Sequence, residues 1–469
     1  MQKINLSDNR LLRITTLCGL YVAQGIPFGF VIYTLTAYMA EKGLVENDIG
    51  NIVAWSTLPW AFKWIWGPIV DRFGIPSMGR RRPWIILAQI MMILTIGAML
   101  LISDLDSNLK LICAMVFIHN IFNALQDVSV DALAVDILHE DERGKVNGYM
   151  YGAKYLGTMI GSSGLMLVIK HSNMAMALIV QIILLTAIML LPLLLRERAG
   201  EKLMPWSKGK ASPASSAQAF GSTLQMFKTL LKAFSLRSTI LTAFLALFIN
   251  FGIGILSVAG TVLMVQNLGW QKDQWVNLTG FWGSLIAVAG SILGGIIADK
   301  IGQRKTLAIT GIIIGIIWIT LSATTAHWPN KNYMIIVTLL ETFLIAVMAV
   351  SFFSLAMGVS WPKVAATQFT AYMAIMNFST TIGAKFAGIV KTIMLDYFPY
   401  TPNPDQVIKP GELGYDPNQV SNPFGIPDAL MIYAGLYFCV GIFQLLMLLV
   451  LPFIDPDQSR RLLDGKQSL

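Results

Sequence analysis

Gly67-Pro-Ile-Val-Asp71-Arg72-Phe-Gly74, followed by Arg80-Arg81-Arg82, returns 228 residues later as Gly295-Ile-Ile-Ala-Asp299-Lys300-Ile-Gly302, followed by Arg304 and Lys305. Both copies read G-x-x-x-D-[RK]-x-G, and their separation is close to half of the 469-residue chain. Each copy closes an apolar run and opens a basic segment. One copy alone would be an ordinary basic turn with glycines. Two in register mark an internal duplication, which decides the architecture before any single element is assigned. Gly67 and Gly295 are expected to let neighbouring helices approach closely. Asp71 and Asp299, at helix ends, are placed to meet basic side chains or a helix N-terminus.

The chain around this repeat is 55% hydrophobic and 13% charged, with a mean hydropathy of +0.63. Soluble globular proteins carry about 25% charged residues, so most of this chain faces something other than water. About 20 apolar residues cross a hydrocarbon core as a helix. Runs of that kind lie near 11–39, 47–70, 83–103, 110–138, 145–169 and 173–195, and again near 236–267, 274–298, 305–325, 332–358, 363–394 and 426–452. The repeated motif closes the second run of each six. The reading is an all-α polytopic membrane protein of twelve transmembrane helices in two pseudo-symmetric six-helix bundles, 1–195 and 236–455. Residues 196–235, rich in Ser, Ala, Gly and Lys, read as a cytoplasmic linker, and 456–469 as a cytoplasmic tail. The segment 396–425, with six prolines, reads as an irregular external loop and partial lid. The first run is too long for a signal-peptide core, and no small-residue cleavage site follows it.

Charge sets the orientation. With the N-terminus inside, 24 of the 34 Lys and Arg residues fall on the inner side, 7 on the outer and 3 within spans. That asymmetry places both termini in the cytoplasm. It also accounts for the net charge of +8 without a nucleic-acid partner. Cys18, Cys113 and Cys439 all lie in apolar runs, too dispersed for a disulfide framework or a zinc site. No Walker-type loop, metal-ligand constellation or nucleophile–base set is present, so neither an enzyme nor an ATP-driven pump is expected, and no cofactor or metal.

A charge at bilayer depth is expensive and by default faces a cavity or a partner. Six such residues stand out: Lys63 in the second run, Asp127 and Asp131 in the fourth, Lys154 in the fifth, Glu341 in the tenth and Lys385 in the eleventh. In the fourth run Asn120, Asn123, Asp127 and Asp131 fall within an arc of about 80° at 100° per residue. Two carboxylates one turn apart in a low dielectric cannot both stay charged cheaply, so one of them is suited to bind and release a proton. Ion pairing of Lys63 and Lys154 with these acids is the competing, structural explanation, and the two are compatible. In the second half Asn377, Thr381 and Lys385 form a polar stripe at i, i+4 and i+8. Glu341 is either a second proton site or an ion-pair partner of Lys385. Tyr21 and Gln24 precede a Gly25-Ile-Pro27 kink in the first run, and Asn250 with Gly252 and Gly254 is its counterpart in the seventh. His119 reads as a packed, hydrogen-bonded histidine. A proton site at Asp127, Asp131 or Glu341 and substrate contacts from Tyr21, Gln24, Lys63, Asn120, Asn123, Lys154, Asn250, Asn377, Thr381 and Lys385 follow. Asp71, Arg72, Arg80, Asp299, Lys300 and Arg304 are the expected gating set.

The duplicated motif resembles the signature loop of the major facilitator superfamily, between helices two and three and again between eight and nine. That resemblance implies two bundles rocking about a site near the midplane, with gating contacts made in one state only. Tyr21-Val-Ala-Gln24-Gly25-Ile-Pro27, Leu58-Pro59-Trp60-Ala-Phe-Lys63-Trp-Ile-Trp66, Gly79-Arg80-Arg81-Arg82-Pro-Trp84 and Gln126-Asp127-Val-Ser-Val-Asp131-Ala resemble the AmpG-type muropeptide permeases and acetyl-CoA transporters. Ala366-Thr367-Gln368-Phe369 resembles the AmpG branch in particular. The resemblance is strong over about 20–160 and sparse afterwards. It implies a monomeric, proton-coupled importer in a bacterial inner membrane, with a small-molecule solute and protons as partners and the lipid bilayer as its surroundings. The solute it points to is an anhydro-sugar peptide of cell-wall turnover. A siderophore or an acetyl-CoA-like anion is the alternative cargo, and a non-transporting receptor of the same fold a further alternative. Ala132-Leu133-Ala134 departs from the Ala-Trp-Lys of the AmpG branch. The fifth run lacks the Gly-Pro pair of the superfamily's drug/proton antiporters, which argues against a multidrug exporter.

Overall fold

Twelve long helical runs stand among the residues described by the computed structural model, which are 5–102, 108–138, 143–216, 231–361, 365–397 and 428–463. In the first half, α1 is Arg10–Glu41. α2 comprises Glu46–Ala61, Lys63–Ile65 and Trp66–Arg72, α3 is Arg82–Met99 and α4 is Leu109–Ile137. α5 comprises Arg143–Met159, Ile160–Gly164 and Leu165–His171, and α6 is Met174–Leu194. In the second half, α7 is Arg237–Asn267, and α8 comprises Lys272–Val276, Asn277–Trp282 and Gly283–Ile301. α9 is Gln303–Ala323, α10 Lys331–Val359, α11 Ala365–Tyr397, and α12 Asp428–Met447 with a 3-10 extension at Leu448–Phe453. Ten of the twelve are long and apolar enough to span a membrane on their own; α2 and α5 are the exceptions. The expected external loop at 396–425 lies almost wholly outside the described residues, as do 217–230 of the linker and 464–469 of the tail.

Contacts divide the chain into two compact units: Met1–Thr34 with Leu58–Gly221, and Leu35–Thr57 with Ser222–Leu469. The hairpin formed by the end of α1 and the start of α2, expected with the first bundle, therefore packs within the second unit. Gln266 Nε2 of α7 donates to the carbonyls of Ala40 (2.7 Å) and Leu44 (2.8 Å), closing the hairpin turn. The fully buried Glu46 carboxylate accepts from Lys391 Nζ of α11 at 2.6 and 2.8 Å and from the Tyr433 hydroxyl of α12. Such burial is tolerable only for a charge that is both paired and hydrogen-bonded.

Within each unit, one helix pair is in backbone contact through small residues. A Cβ on Gly25 of α1 would overlap the Lys154 carbonyl of α5, and one on Gly161 would overlap the Ile26 carbonyl. In the second unit Gly254 of α7 and Gly383 of α11 stand in the same relation to Thr380 and Phe251. The duplication read from the sequence thus recurs as matched helix pairs, α1–α5 and α7–α11, held by van der Waals contact rather than by a hydrophobic drive, as expected in lipid. The motif glycines do not play that part. A Cβ on Gly67 would meet no described atom within 4 Å, and one on Gly295 only ordinary contact with Val350. The close approaches of α8 are made by Gly294, the residue just before Gly295, and by Gly290, a turn earlier, both against α10.

The start of the expected linker is not a free tether. Residues 196–216 form a strap bound to the end of the first unit where α3 begins and α6 stops. The Glu197 carboxylate accepts the backbone N–H groups of Arg81 (3.0 Å) and Arg82 (3.3 Å), capping the N-terminus of α3 in the manner that satisfies orphan amide donors. The Arg82 guanidinium donates to the carbonyls of Leu193 (3.2 Å) and Lys202 (3.1 Å). Arg198 donates to Glu197 Oε1 (2.9 Å) and to the Asp136 carbonyl (3.1 Å), while Arg81 Nε meets Asp136 Oδ2 at 2.8 Å.

Candidate functional site

In α2, Pro59 removes a backbone donor and crowds the preceding turn. The α-helix stops at Ala61, and a 3-10 turn over Lys63–Ile65 re-aims the chain before Trp66. That break directs Lys63 inward: its Nζ lies 3.1 Å from Asp127 Oδ2, with side chains 15% and 6% exposed. The other carboxylate oxygen of Asp127 accepts from Gln24 Nε2 of α1. One turn further along α4, Asp131 Oδ1 accepts from the Tyr21 hydroxyl. Tyr21 in turn meets the Tyr151 ring of α5 edge-on, with centroids 6.0 Å apart. Tyr21, Gln24, Lys63, Asp127 and Asp131 therefore form one constellation in the first unit.

Lys154 belongs to the same neighbourhood and is held differently. The α1–α5 glycine contact brings its own backbone carbonyl against Gly25, but its ammonium has no carboxylate at ion-pairing distance among the described residues. It sits 5.1 Å from the centroid of the Trp60 ring, a cation–π arrangement. Trp60 is fixed by donating its indole N–H to Asn120 Oδ1 at 3.2 Å, and Asn120 anchors itself on the Val116 carbonyl at 3.0 Å. Asn123, phased with this wall in the sequence, is fully buried and does not join it; neither atom of its side-chain amide has a hydrogen-bond partner among the described residues.

The cluster holds two acids and two bases. Asp127 is neutralised by contact with Lys63, whereas the partner of Asp131 is a neutral hydroxyl and that of Lys154 a neutral ring. With both acids ionised the four charges cancel. With a proton on Asp131, the unbalanced charge is the ammonium of Lys154. The arrangement can therefore hold a proton and an anion together, and neither alone without a net charge in a low-dielectric interior.

The second unit is sparser. Glu341 of α10 accepts from Trp318 Nε1 of α9 at 2.9 Å, and Lys385 donates to Asn51 Oδ1; the alternative Glu341–Lys385 ion pair is not formed. Thr381 bonds to Thr57 at 2.7 Å and to the Asn377 carbonyl at 3.0 Å. Asn250 interrupts α7 between Ile249 and Phe251, with its own carbonyl accepting from Gly254 N–H at 2.8 Å, so a break stands where one was expected. At Pro27, where the corresponding kink was expected, α1 stays helical, and a π-helical stretch follows at Phe30–Leu35. His119 accords with its packing role, its Nδ1 2.9 Å from Thr95 Oγ1. Of the expected gating set, the side chains of Asp71, Arg72 and Asp299 are outside the described residues. Arg80 is half-buried, Lys300 is exposed, and Arg304 donates to the Ile454 carbonyl at 2.7 Å, tying α9 to the end of α12.

The sequence profile of the Major Facilitator Superfamily matches residues 17–384. The chain belongs to that superfamily. Solved structures agree on the fold. A bacterial homolog of the human lysosomal transporter Spinster, in an inward-facing and unoccupied conformation, covers 98% of this chain and 99% of its own, with TM-score 0.68 at 15% identity. The nucleoside transporter NupG (D323A mutant) gives TM-score 0.67 at 11% identity, covering 94% and 99%. Among curated relatives, a Rickettsia felis protein named transporter AmpG 4 is 23% identical over 384 residues, 80% of this chain and 88% of that one. The Escherichia coli K12 anhydromuropeptide permease is 26% identical over 301 residues, 62% of this chain and 57% of that one. This superfamily member is accordingly a multi-pass membrane protein of a transporter family, with proteins of the AmpG name among its relatives.

Three features of the site escaped the sequence. Trp60 carries no signal as a cation platform, because a ring–ammonium contact between α2 and α5 has no spacing rule. The partner of Glu341 is a tryptophan 23 residues away, which charge counting cannot find. Gln368, part of the AmpG-like stretch in α11, is buried and structural: it accepts from Trp361 N–H (2.9 Å) and donates to Thr239 (3.2 Å) and Tyr372 (3.0 Å).

Proposed function

We propose that this protein is a proton-coupled importer of a large polar anion, an anhydro-sugar peptide of cell-wall turnover, working by alternating access in a bacterial inner membrane with both termini cytoplasmic. The observation that carries the reading is the four-charge cluster of α2, α4 and α5, in which Asp131 and Lys154 have no oppositely charged group at ion-pairing distance among the described residues. Asp131 is the proton site and Lys154 the receptor for a substrate carboxylate. Loading either alone leaves a net charge in the membrane interior; loading both leaves none. Proton and anion then cross together, which is symport. The relatives named AmpG and anhydromuropeptide permease supply the cargo. The departure at Ala132-Leu133-Ala134 keeps a siderophore or an acetyl-CoA-like anion as the competing solute.

The test is uptake of radiolabelled anhydromuropeptide by proteoliposomes under an imposed inward proton gradient. Accumulation that collapses with a protonophore is expected. A preparation that binds and exchanges the label but accumulates it equally without a gradient would remove proton coupling. A preparation that ignores this solute while accumulating another anion would replace the cargo and keep the mechanism.

A further inference from the structure

The strap at 196–216 presents an outward surface whose one internal bond is from Lys202 Nζ to the Pro205 carbonyl (3.3 Å) among the described residues. Both of its acids point inward: Glu197 onto the start of α3, and Glu201 onto the Ser212 and Ser215 hydroxyls (2.9 and 2.6 Å) and Arg198 N–H (2.9 Å). A tight loop is closed by Lys202 N–H to the Ser77 carbonyl (2.7 Å) and Lys210 N–H to the Gly200 carbonyl (3.0 Å). Its tip is pinned by Ser207 Oγ, which accepts from Leu203 and Met204 N–H (2.9 and 3.0 Å). Trp206 projects from this tip 84% exposed, with Lys208 and Lys210 exposed beside it and Lys202 partly so. A rigid turn thus displays one indole and only positive charge.

Its height is fixed by Arg82, which begins α3 and bonds both to Leu193, at the end of α6, and to Lys202 of the strap. Leu194, the last residue of α6, is 60% exposed, so the strap leaves the bundle beside an outward apolar helix end. The end of a span as long and apolar as α6 is expected at the boundary between hydrocarbon and headgroups, where tryptophan is enriched because its ring is apolar and its N–H needs water. Clustered lysines there are attracted to anionic lipid.

We propose that Trp206 with Lys202, Lys208 and Lys210 is a docking site for anionic phospholipid headgroups of the adjoining leaflet, the indole inserted at the interface and the ammonium groups on lipid phosphates. This holds independently of the cargo. It implies that the end of the first unit where α3 and α6 meet is anchored to the membrane surface.

The experiment uses full-length protein in phosphatidylcholine vesicles carrying acyl-brominated phosphatidylglycerol or, at equal mole fraction, acyl-brominated phosphatidylcholine. Trp206 emission is read as the difference between wild type and Trp206→Phe. Several-fold stronger quenching by the brominated phosphatidylglycerol is expected, with little quenching by aqueous iodide. The Lys202→Gln/Lys208→Gln/Lys210→Gln variant should lose the preference between the two lipids. Iodide quenching without lipid quenching would overturn the proposal. So would equal quenching by both lipids that the lysine variant leaves unchanged. Inorganic phosphate should not displace the effect; if it does, the loop binds free anions and not lipid.

Discussion

Asp127 and Asp131 are the same residue one helical turn apart, and their neighbours give them different work. Asp127 is clamped by Lys63 and Gln24; among the described residues Asp131 has only the Tyr21 hydroxyl as a hydrogen-bond partner. Asp131→Asn is therefore expected to abolish accumulation against a gradient while preserving counterflow exchange of labelled substrate in the same proteoliposomes. Removing one partner of a buried ion pair leaves an uncompensated charge and destabilises by about 3–5 kcal/mol. Lys63→Gln or Asp127→Asn alone should thus lower the melting temperature in detergent more than the two together, a coupling that a double-mutant cycle reads directly. Outside the membrane, burial raises the Glu197 carboxyl above the 4.5 of an exposed glutamate, against the opposing pull of the Arg81 and Arg82 amides and Arg198. In the window between 4.5 and the raised value the folded state binds more protons than the unfolded one, so stability falls as pH rises through it and is level beyond. Wild type should lose melting temperature across that window relative to Glu197→Gln, which keeps an acceptor and has no charge to bury. The face shared by Asp127 and Asp131 was legible because an α-helix fixes side-chain phase. The Lys154–Trp60 contact was not, because it depends on how α2 unwinds after Pro59.

At the scale of elements, the helix limits read from hydropathy agree with the structure to within a few residues for nearly every run, since apolar length is what the bilayer selects. The runs 47–70 and 145–169, read from hydropathy like the others, are the two whose helices fall short of the length and apolarity that a span needs on its own. Hydropathy could not show where backbones touch. Gly67 and Gly295 were natural candidates from the motif, yet the contacts are made by Gly25 and Gly161 in one unit and by Gly254 and Gly383 in the other. A glycine's packing is a property of its helix pair, not of the motif around it. Gly161→Ala places a Cβ against the Ile26 carbonyl in a region of backbone contact that cannot give way cheaply, where overpacking costs about 1–3 kcal/mol or more. Reduced melting temperature with loss of transport is expected, while Gly152→Ala on the same helix, with open space at its Cβ, should behave as wild type in both measurements. The strap escaped the sequence for a related reason: Ser, Gly and Lys describe a linker, but Glu197 and Arg82 turn it into a capped, bonded segment.

Across the whole molecule the duplication holds in architecture and fails in chemistry. Thr95–His119 ties α3 to α4 in the first unit, and Trp318–Glu341 ties α9 to α10 in the second. Counted from the first residues of their helices, Leu109 of α4 and Lys331 of α10, Glu341 stands where the packed His119 does and not where Asp127 or Asp131 does. The acids and bases that can hold a proton and an anion together are gathered in the first unit, and nothing equivalent stands at the matching turns of α10, where Ala349 and Phe353 occupy the register. A carrier coupled from one half should then tolerate neutralisation of Glu341, provided the Trp318 N–H keeps an acceptor. Glu341→Gln is expected to accumulate substrate as the wild type does under the same proton gradient, and Glu341→Leu to lose melting temperature through the unpaired indole, by about 1–3 kcal/mol, without changing the proton dependence of the uptake that remains. If Glu341→Gln instead matches Asp131→Asn, exchanging but not accumulating, the coupling is shared between the halves and the four-charge cluster of the first unit is only part of the proton path.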